Sequence, residues 1–301
     1  MKIVVLGSGT SHGIPVVACN CKVCTSNDSR DKRMRSSLYI EGPGGEKVLI
    51  DMGPEFRLQA VRAGINRLDA IFLTHAHADH INGLDDVRPL SRNNPIPVYG
   101  NSLTIAEMKE RFSYIWKDTQ YGGGKPQLTP YALDMSAPPG QVMIGSLEFR
   151  PLPVKHGILD ILGWEVWEKI PWEKIPREKP LREKFPQGET GKGFLYLTDT
   201  SAVPAATMEY LSSNNSRQYS VIVIGGLRVR PHETHFTFEQ ALDAALNIGA
   251  ERIYLTHICH EHSHAEIEKI CRDYLKRQQL EVQRQKKLTI HPAWDGLELF
   301  L

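Results

Sequence analysis

Cysteine is scarce in this sequence: 5 occur in 301 residues, and three of these lie together in CNCKVC, residues 19 to 24. A disulfide framework needs an even, dispersed set of cysteines in a small secreted domain, and this chain has neither feature. Thiolates at such short spacing are typical of a metal site, which usually takes a further ligand from elsewhere in the chain. The distribution therefore disfavours a disulfide scaffold and points to Cys19, Cys21 and Cys24 as metal ligands.

The chain also has no marked excess of charge and no long apolar run. Lys and Arg number 36 against 35 Asp and Glu, a net charge of +1, so the composition does not favour a polyanionic partner. No apolar stretch approaches the ~20 residues that span a bilayer, and MKIVVLGSGT is too short for the apolar region of a secretion signal. We therefore expect a cytoplasmic protein with no membrane partner, in which thiols stay reduced.

Apolar runs of strand length alternate with helical patterns in both halves of the chain. Several of these runs end in polar or metal-binding residues: DAIFLTH, SLEFRPLPVKHG, GFLYLTDT and RIYLTHICH. The pattern predicts an α/β layered protein with its site at one rim. GSGTSHG, residues 7 to 13, has one glycine out of phase with a dinucleotide-binding fingerprint and leads into a proline and the cysteines, so we reject that site.

Two segments interrupt this alternation, at about 101–140 and at 165–192. The second contains WEKIP twice, with prolines at short intervals and nearly balanced charges. Two interpretations stay open for it: a solvated excursion such as a two-stranded flap, or a lid or substrate-binding arm over the site. Apart from these excursions, we expect a single domain over residues 1–301.

The most informative stretch is FLTHAHADH, residues 72 to 80. It places His75, His77, Asp79 and His80 on one short loop after an apolar strand. On such a loop His75 and His77 can chelate one ion while Asp79 and His80 reach toward a second. Single histidines are usually structural, but four such groups this close together indicate bound cations.

This H-x-H-x-D-H motif after a strand resembles the signature of the metallo-β-lactamase-fold hydrolases. Asp51 in LIDMG is similar to the family's aspartate that braces the ligand loop, and three later ligands follow in the family's order: His156, Asp199 and His257. The resemblance implies a four-layer αββα sandwich, with two mixed β-sheets flanked by helices. It implies two divalent ions, zinc or manganese. His75, His77 and His156 would hold one, Asp79, His80 and His257 the other, with Asp199 bridging.

The cysteine cluster resembles the branch of this family that contains the PhnP-type cyclic phosphodiesterases. In that branch a C-x-C-x-x-C group binds a structural zinc together with a histidine three residues after the last catalytic one. The resemblance thus implies that His260 completes the site of Cys19, Cys21 and Cys24, although His262 and His264 lie nearby in sequence. It also implies that His235 is a proton donor beside the metals, cationic near neutral pH, and that Asp79 helps to orient the nucleophile. His12 and His232 are weaker candidates.

These residues favour a dinuclear metal-dependent phosphodiesterase that hydrolyses a cyclic or small phosphodiester through a metal-bridging hydroxide. One alternative is an endonuclease of the tRNA 3′-processing type, so a nucleic-acid partner stays open but is not favoured. A second is a non-hydrolytic accessory protein like PqqB, and a third is a thioester or lactam hydrolase. A homodimer is compatible with the sequence, which does not identify the oligomeric state.

Overall fold

The computed structural model describes residues 1–118, 124–135, 140–169, 192–213, 219–279 and 288–301. Within these residues the strands are β1 (Lys2–Gly7), β2 (Ser37–Glu41), β3 (Lys47–Ile50), β4 (Ala70–Phe72), β5 (Ile96–Asn101), β6 (Leu128–Leu133), β7 (Val142–Ile144), β8 (Leu147–His156), β9 (Leu159–Glu168), β10 (Gly193–Leu197), β11 (Tyr219–Gly225), β12 (Ala250–Thr256), β13 (Thr289–Pro292) and β14 (Glu298–Phe300). The α-helices are α1 (Phe56–Ala63), α2 (Ala78–Ile81), α3 (Ser102–Arg111), α4 (Ala205–Ser213), α5 (Phe238–Ile248) and α6 (His264–Gln279).

The strands form two seven-stranded sheets, with the orders β14-β1-β2-β3-β4-β5-β6 and β13-β12-β11-β10-β9-β8-β7. Both sheets are mixed. In the first, β14 to β3 pair antiparallel and β3 to β6 pair parallel. In the second, β10 to β13 pair parallel while β7, β8, β9 and β10 pair antiparallel.

Alternating side chains on the central strands enter different core layers. On β10, Phe194 and Tyr196 join the apolar cluster between the two sheets, whereas Leu195 and Leu197 join the cluster under α5 and α6. On β3, Leu49 faces the cluster that includes α1 and α3. Because successive side chains of a strand point to opposite faces, strands covered on both sides are apolar throughout. The result is the predicted helix–sheet–sheet–helix sandwich.

The first predicted excursion belongs in part to the fold. Residues 101–140 include α3 and the edge strand β6, which pairs in parallel with β5 from Ile96↔Leu128 to Asn101↔Leu133. The second was predicted to leave the fold at residue 165, but β9 keeps its pairing with β8 through Glu168, and Trp167 is buried. The flap and lid interpretations of the remaining segment fall on residues 170–191, outside the described residues.

Reciprocal side-chain hydrogen bonds cap the starts of two helices. Thr237 and Gln240 form a reciprocal capping box at the start of α5. Ser263 and Glu266 exchange the same kind of hydrogen bonds before α6. Each box satisfies backbone N–H groups that have no partner inside the helix. Among the described residues, none of the helices has the length and apolar character needed to cross a bilayer.

Candidate metal centre

The candidate ligands lie at the carboxyl ends of strands along one edge of the sandwich. Asp51 follows β3, His75 lies just beyond β4, Asp199 just beyond β10 and His257 follows β12. His156 ends β8, which runs in the same direction as β10 because two antiparallel pairings separate them. Loops at such an edge are where α/β proteins place their sites.

The backbone at this edge is strained at three of these positions. Asp51, Asp199 and His257 have positive φ angles of 58°, 53° and 55°. Residues other than glycine rarely adopt this left-handed conformation, which costs of order 1–3 kcal/mol, and it persists where the surrounding structure imposes it. These three strained residues lie at strand ends around one point. Their backbone conformation therefore reflects the placement of their side chains and not local stability.

Three histidines form the first ligand group: His75, His77 and His156, whose candidate ligand atoms lie within 4.8 Å of one another. Burial, together with the nearby charge of His80, holds the pKa of His75 well below its ordinary value. Burial and repulsion from His156 also lower the pKa of His77. Neutral imidazoles are the form that binds metals, so the environment favours the ligand state.

The second group combines two carboxylates with two histidines: Asp79, His80, Asp199 and His257, again within 4.8 Å of one another. His80 Nε2 lies 3.2 Å from Asp79 Oδ2 and 3.2 Å from Asp199 Oδ2, and His257 Nε2 lies 3.0 Å from Asp199 Oδ1. Burial alone would raise the pKa of Asp199, but the charges of His257 and His80 outweigh it and hold the pKa well below its usual range. The two carboxylates therefore stay ionised in a buried site, where they require positive charge.

The imidazole nitrogens that face this centre show whether the site is chemically suited to metal ions. Within the described part of the chain, His75 Nε2, His80 Nε2 and His257 Nε2 are buried without a hydrogen bond of good geometry, although His80 Nε2 and His257 Nε2 lie close to carboxylate oxygens. These nitrogens and the carboxylate oxygens are crowded into one small space. A buried polar atom without a partner is costly, and coordination to a cation would satisfy it. Nitrogen and oxygen ligands in this arrangement fit divalent cations.

The opposite ring nitrogens of three ligands, His75, His80 and His156, contact partners behind the site. Asp51 Oδ2 lies 2.8 Å from His80 Nδ1, and Thr74 Oγ1 lies 3.0 Å from His75 Nδ1. His156 Nδ1 lies 2.8 Å from the carbonyl oxygen of Thr234. Each partner accepts the Nδ1 proton, which leaves Nε2 free to bind a metal. Asp51 also accepts from the backbone N–H and hydroxyl of Thr74, each at 2.8 Å, so one carboxylate orients the whole loop.

His235 lies against both groups. Its ring centroid is 4.7 Å from that of His156 and 4.8 Å from that of His257, and its Nδ1 is 3.8 Å from Asp199 Oδ1. Burial and the charge of His257 lower its pKa to about 3. The position is the one predicted for the proton donor, whereas the low pKa favours a neutral imidazole over the cation expected near neutral pH.

The two weaker histidine candidates differ in their placement. His232 is exposed, and its ring lies 5.1 Å from that of His235, where it accepts a 3.2 Å hydrogen bond from the Thr234 backbone N–H. His12 is exposed and belongs to none of the ligand groups found in the described part of the chain. His232 therefore lies beside the candidate proton donor, and neither histidine belongs to a ligand group of the described residues.

The cysteines form a separate group with His260. Its Nδ1 lies 3.3 Å from Cys19 Sγ, 3.5 Å from Cys21 Sγ and 3.4 Å from Cys24 Sγ. A hydrogen bond from the Cys24 backbone N–H is the main cause that lowers the pKa of Cys21 to about 6. The geometry selects His260 over its neighbours, since all four ligand atoms lie within 4.8 Å of one another. Three thiolates and an imidazole fit a closed tetrahedral zinc site.

A buried ion pair between Arg33 and Asp31 lies behind the cysteine group. The sequence patterns did not indicate this pair. Arg33 is fully buried, and its guanidinium donates to the carbonyl oxygens of Cys259 at 2.7 Å and His262 at 3.1 Å. Its Nη2 also lies 3.3 Å from Asp31, which accepts a 2.6 Å hydrogen bond from the His264 backbone N–H. Both residues stand in the charged stretch SRDKRMR, where nothing distinguishes a buried pair from solvated charges.

Residues 46–258 match the family model described as a β-lactamase superfamily domain. The crystal structure of a diphosphatase from the PhnP family superimposes with a TM-score of 0.75 and 33% identity, covering 100% of this chain and 97% of that chain. This chain belongs to the β-lactamase superfamily and, within it, to the PhnP family. In this PhnP-family chain, the structure brings together the residues of the two ligand groups and of the cysteine group.

Two curated relatives bear other names. An octanoyltransferase of Porphyromonas gingivalis is 34% identical over 302 residues, which cover 100% of this PhnP-family chain and 52% of that protein. The coenzyme PQQ synthesis protein B of Methylobacterium radiotolerans is 31% identical over 113 residues, or 33% of this chain and 37% of that protein. The chain thus spans about half or less of the length of these relatives.

Proposed function

We propose that this protein is a dinuclear metal-dependent phosphodiesterase that hydrolyses a cyclic or small phosphodiester. The observation that supports it most is the complete set of seven ligands in two adjoining groups, with His235 within 4.8 Å of ligand atoms of both. When bound, two divalent cations supply a water of lowered pKa as nucleophile and neutralise phosphoryl oxygens.

The protein's own side chains hold and orient this centre. His75, His77 and His156 would bind one ion, and Asp79, His80 and His257 the other. Asp199 would serve both ions, because it belongs to the second group and its carboxylate also lies within 4.8 Å of the candidate ligand atom of His156 in the first group. Asp79 lies in the second group with one oxygen near His80 and His257, where it can also orient the attacking water. Zinc and manganese both suit these ligands, whereas the cysteine group suits zinc.

His235 is proposed to give the leaving oxygen its proton. With a pKa lowered to about 3, the imidazole is neutral before substrate arrives. A phosphoryl anion placed beside it opposes the repulsion from His257 and raises its proton affinity. In this proposal His235 therefore takes up its proton together with the substrate and then acts as general acid.

The charges at the rim favour a small substrate over a nucleic acid. Arg228 and Arg230 stand on the loop before His235, but both pair with Glu261: Arg228 Nη1 lies 3.1 Å from Glu261 Oε1, and Arg230 Nε lies 3.2 Å from Glu261 Oε2. Because Glu261 offsets one of the two guanidinium charges, a single net positive charge remains at this loop, which is little for binding a phosphate backbone. We also propose a reducing, cytoplasmic location, which keeps the cysteine group reduced.

Hydrolysis of a diphosphate linkage is the second candidate. It is favoured by the similarity to the PhnP-family diphosphatase over the whole chain. Both linkages present a phosphorus with two organic or phosphoryl substituents, so the same ligands serve either reaction. A non-hydrolytic role like that of a PQQ synthesis protein is disfavoured, because all seven catalytic ligands are present and meet.

One screen tests the proposal. Protein loaded with zinc or manganese is offered 2′,3′- and 3′,5′-cyclic nucleotides, a phosphoribosyl cyclic phosphate, linear diesters, a diphosphate diester, a tRNA precursor and an octanoyl thioester. We expect turnover of a small cyclic or linear diester. Turnover confined to the diphosphate, the tRNA precursor or the thioester would assign the protein to that class instead.

Two variants separate the proposed centre from a contaminating activity. His77→Ala and Asp199→Ala should abolish diesterase activity while the protein stays folded, because each removes a ligand from the centre. Asp69→Asn, which lies at the start of β4 away from the ligands, serves as the control and should retain activity. Wild-type turnover by either ligand variant under metal-replete conditions would refute the two-metal mechanism.

A further inference from the structure

A small pocket opens beside the first histidine group. It has a volume of about 60 Å³ and lies between the N-terminal half of α3 and the start of β9. It is lined by His75, Ala76, His77, Leu103, Thr104, Glu107, Leu159, Asp160 and Ile161. At ~10–15 Å³ for each water molecule, the pocket accepts a group of a few heavy atoms, such as one edge of a sugar, and not a whole nucleobase.

The lining has a definite chemical character. Two ligand imidazoles stand at one end, aliphatic side chains form the walls, and two carboxylates supply the remaining polarity. Among the described residues that line it, none is a lysine or an arginine. Asp160 is neutralised by Lys155, whose Nζ lies 2.6 Å away, whereas Glu107 is exposed and has no ion pair within the described part of the chain.

The two walls are held together by one side chain. Asn101 caps α3 by accepting a 2.8 Å hydrogen bond from the Thr104 backbone N–H, and its amide donates at 3.2 Å to the carbonyl oxygen of Asp160. This double contact fixes the start of α3 against β9. Glu107, one turn further along the helix, is therefore presented to the pocket from a rigid element.

We propose that this pocket binds the uncharged, hydroxyl-bearing part of the substrate, with Glu107 accepting a hydrogen bond from a hydroxyl group. The inference rests on the proposed function, because it names the group attached to the phosphate at that same site. A free carboxylate accepts hydrogen bonds from a sugar or polyol but repels a second phosphate. Glu107 thus makes the site selective for esters of polyols over compounds that place a second phosphate in this pocket.

Equilibrium binding tests the pocket without requiring turnover. The metal-loaded protein is titrated by calorimetry with ribose 5-phosphate and with methyl phosphate, which share a phosphate but differ in hydroxyl groups. Glu107→Leu should weaken binding of ribose 5-phosphate by about tenfold or more, the range for hydrogen bonds to a charged group, and leave methyl phosphate nearly unchanged. Glu107→Gln, nearly isosteric, should show the same selectivity with a smaller loss.

Glu110 offers the matched control. It stands on the same helix, is exposed, and does not line the pocket. Glu110→Leu and Glu110→Gln should leave both affinities unchanged. Glu107→Lys should strengthen the binding of pyrophosphate severalfold, whereas Glu110→Lys, with the same change of net charge, should not.

The outcomes separate the two proposals. Equal weakening of ribose 5-phosphate and methyl phosphate by Glu107→Leu, or no effect on either, overturns the pocket's role whatever the catalytic screen shows. Loss of hydrolysis of every diester with the selective binding effect intact overturns the proposed reaction but leaves the pocket as a polyol site. Metal content measured for each variant excludes a change in ligand occupancy as the cause.

Discussion

Asp51 Oδ2 lies 2.8 Å from His80 Nδ1, and both side chains are completely buried. Because Asp51 accepts this proton, His80 presents Nε2 toward Asp79 and Asp199. Asp51→Asn should lower the affinity of the centre for divalent metal by about 10–100-fold, the usual effect of removing a partner behind a ligand. Competition with a chelator measures it, with Asp69→Asn as control. An unchanged affinity would mean that His80 is oriented by its packing alone.

The cysteine group should contribute to folding and not to the chemistry. We expect about three metal equivalents for each chain, from the two catalytic groups and the Cys₃His group. Cys21→Ala should lower the melting temperature far more than it changes kcat at a temperature well below melting, because a structural metal adds its binding free energy to folding. Elemental analysis and calorimetry measure both effects.

Cys271→Ala serves as the control for the cysteine variant. Cys271 is also buried but lies in the core under α5 and α6, outside the ligand groups. It should keep all three metals and lose only the stability expected of a small core truncation. One or no metal equivalents in the gently purified wild-type protein would contradict both sites.

Arg33 should be important for stability through the loop that carries His260. Arg33→Met removes donors to two carbonyl oxygens and leaves Asp31 as a buried charge, so we expect a loss of about 3–5 kcal/mol in the free energy of unfolding. Arg30→Met breaks a partly exposed ion pair with Asp28 and should cost no more than about 1 kcal/mol. Urea unfolding compares the two. Similar losses would show that Arg33 acts as an ordinary surface cation.

The loss of rate on removing His235 should be larger for a substrate with a poorer leaving group. An alkoxide from ribose needs a proton to depart, whereas a nitrophenolate leaves unaided. His235→Ala should therefore slow a cyclic diester by roughly 10²–10⁴-fold and a nitrophenyl diester much less. Parallel kcat/KM measurements on the two substrates decide this. Equal losses would make His235 a phosphate-binding group, with the proton supplied from elsewhere.

The neutral state of His235 adds a condition to this last prediction. Because burial and the charge of His257 lower its pKa to about 3, we propose that the proton arrives with the substrate. His232→Gln removes a neighbouring imidazole without touching the ligands and should change that uptake only slightly, because desolvation and the charge of Arg228 lower the pKa of His232, which leaves it mostly neutral near pH 7. A large gain of activity in His232→Gln would show that His232 competes for the proton.

Most of the fold was predictable because it follows from local patterns. Both faces of strands such as β3 and β10 are covered, so they appear in the chain as continuous apolar runs. The candidate metal ligands follow such strands directly, as in FLTHAHADH and LTDT, so the sequence alone points to them. The edge strand β6 was not, since its half-exposed residues lack a clear alternation and its place depends on pairing with β5.

The remaining features depend on residues distant in the chain. His260 could be preferred over His262 and His264 only by resemblance until its Nδ1 was placed 3.3–3.5 Å from three thiols that lie more than 230 residues earlier. The sequence around Arg33 and Glu107 does not reveal how the two charged side chains are placed. Arg33 is buried under the cysteine loop, whereas Glu107 faces a pocket beside the histidines. Burial and the net field of neighbours set the pKa of His235, and both are sums over residues that only the folded chain brings together.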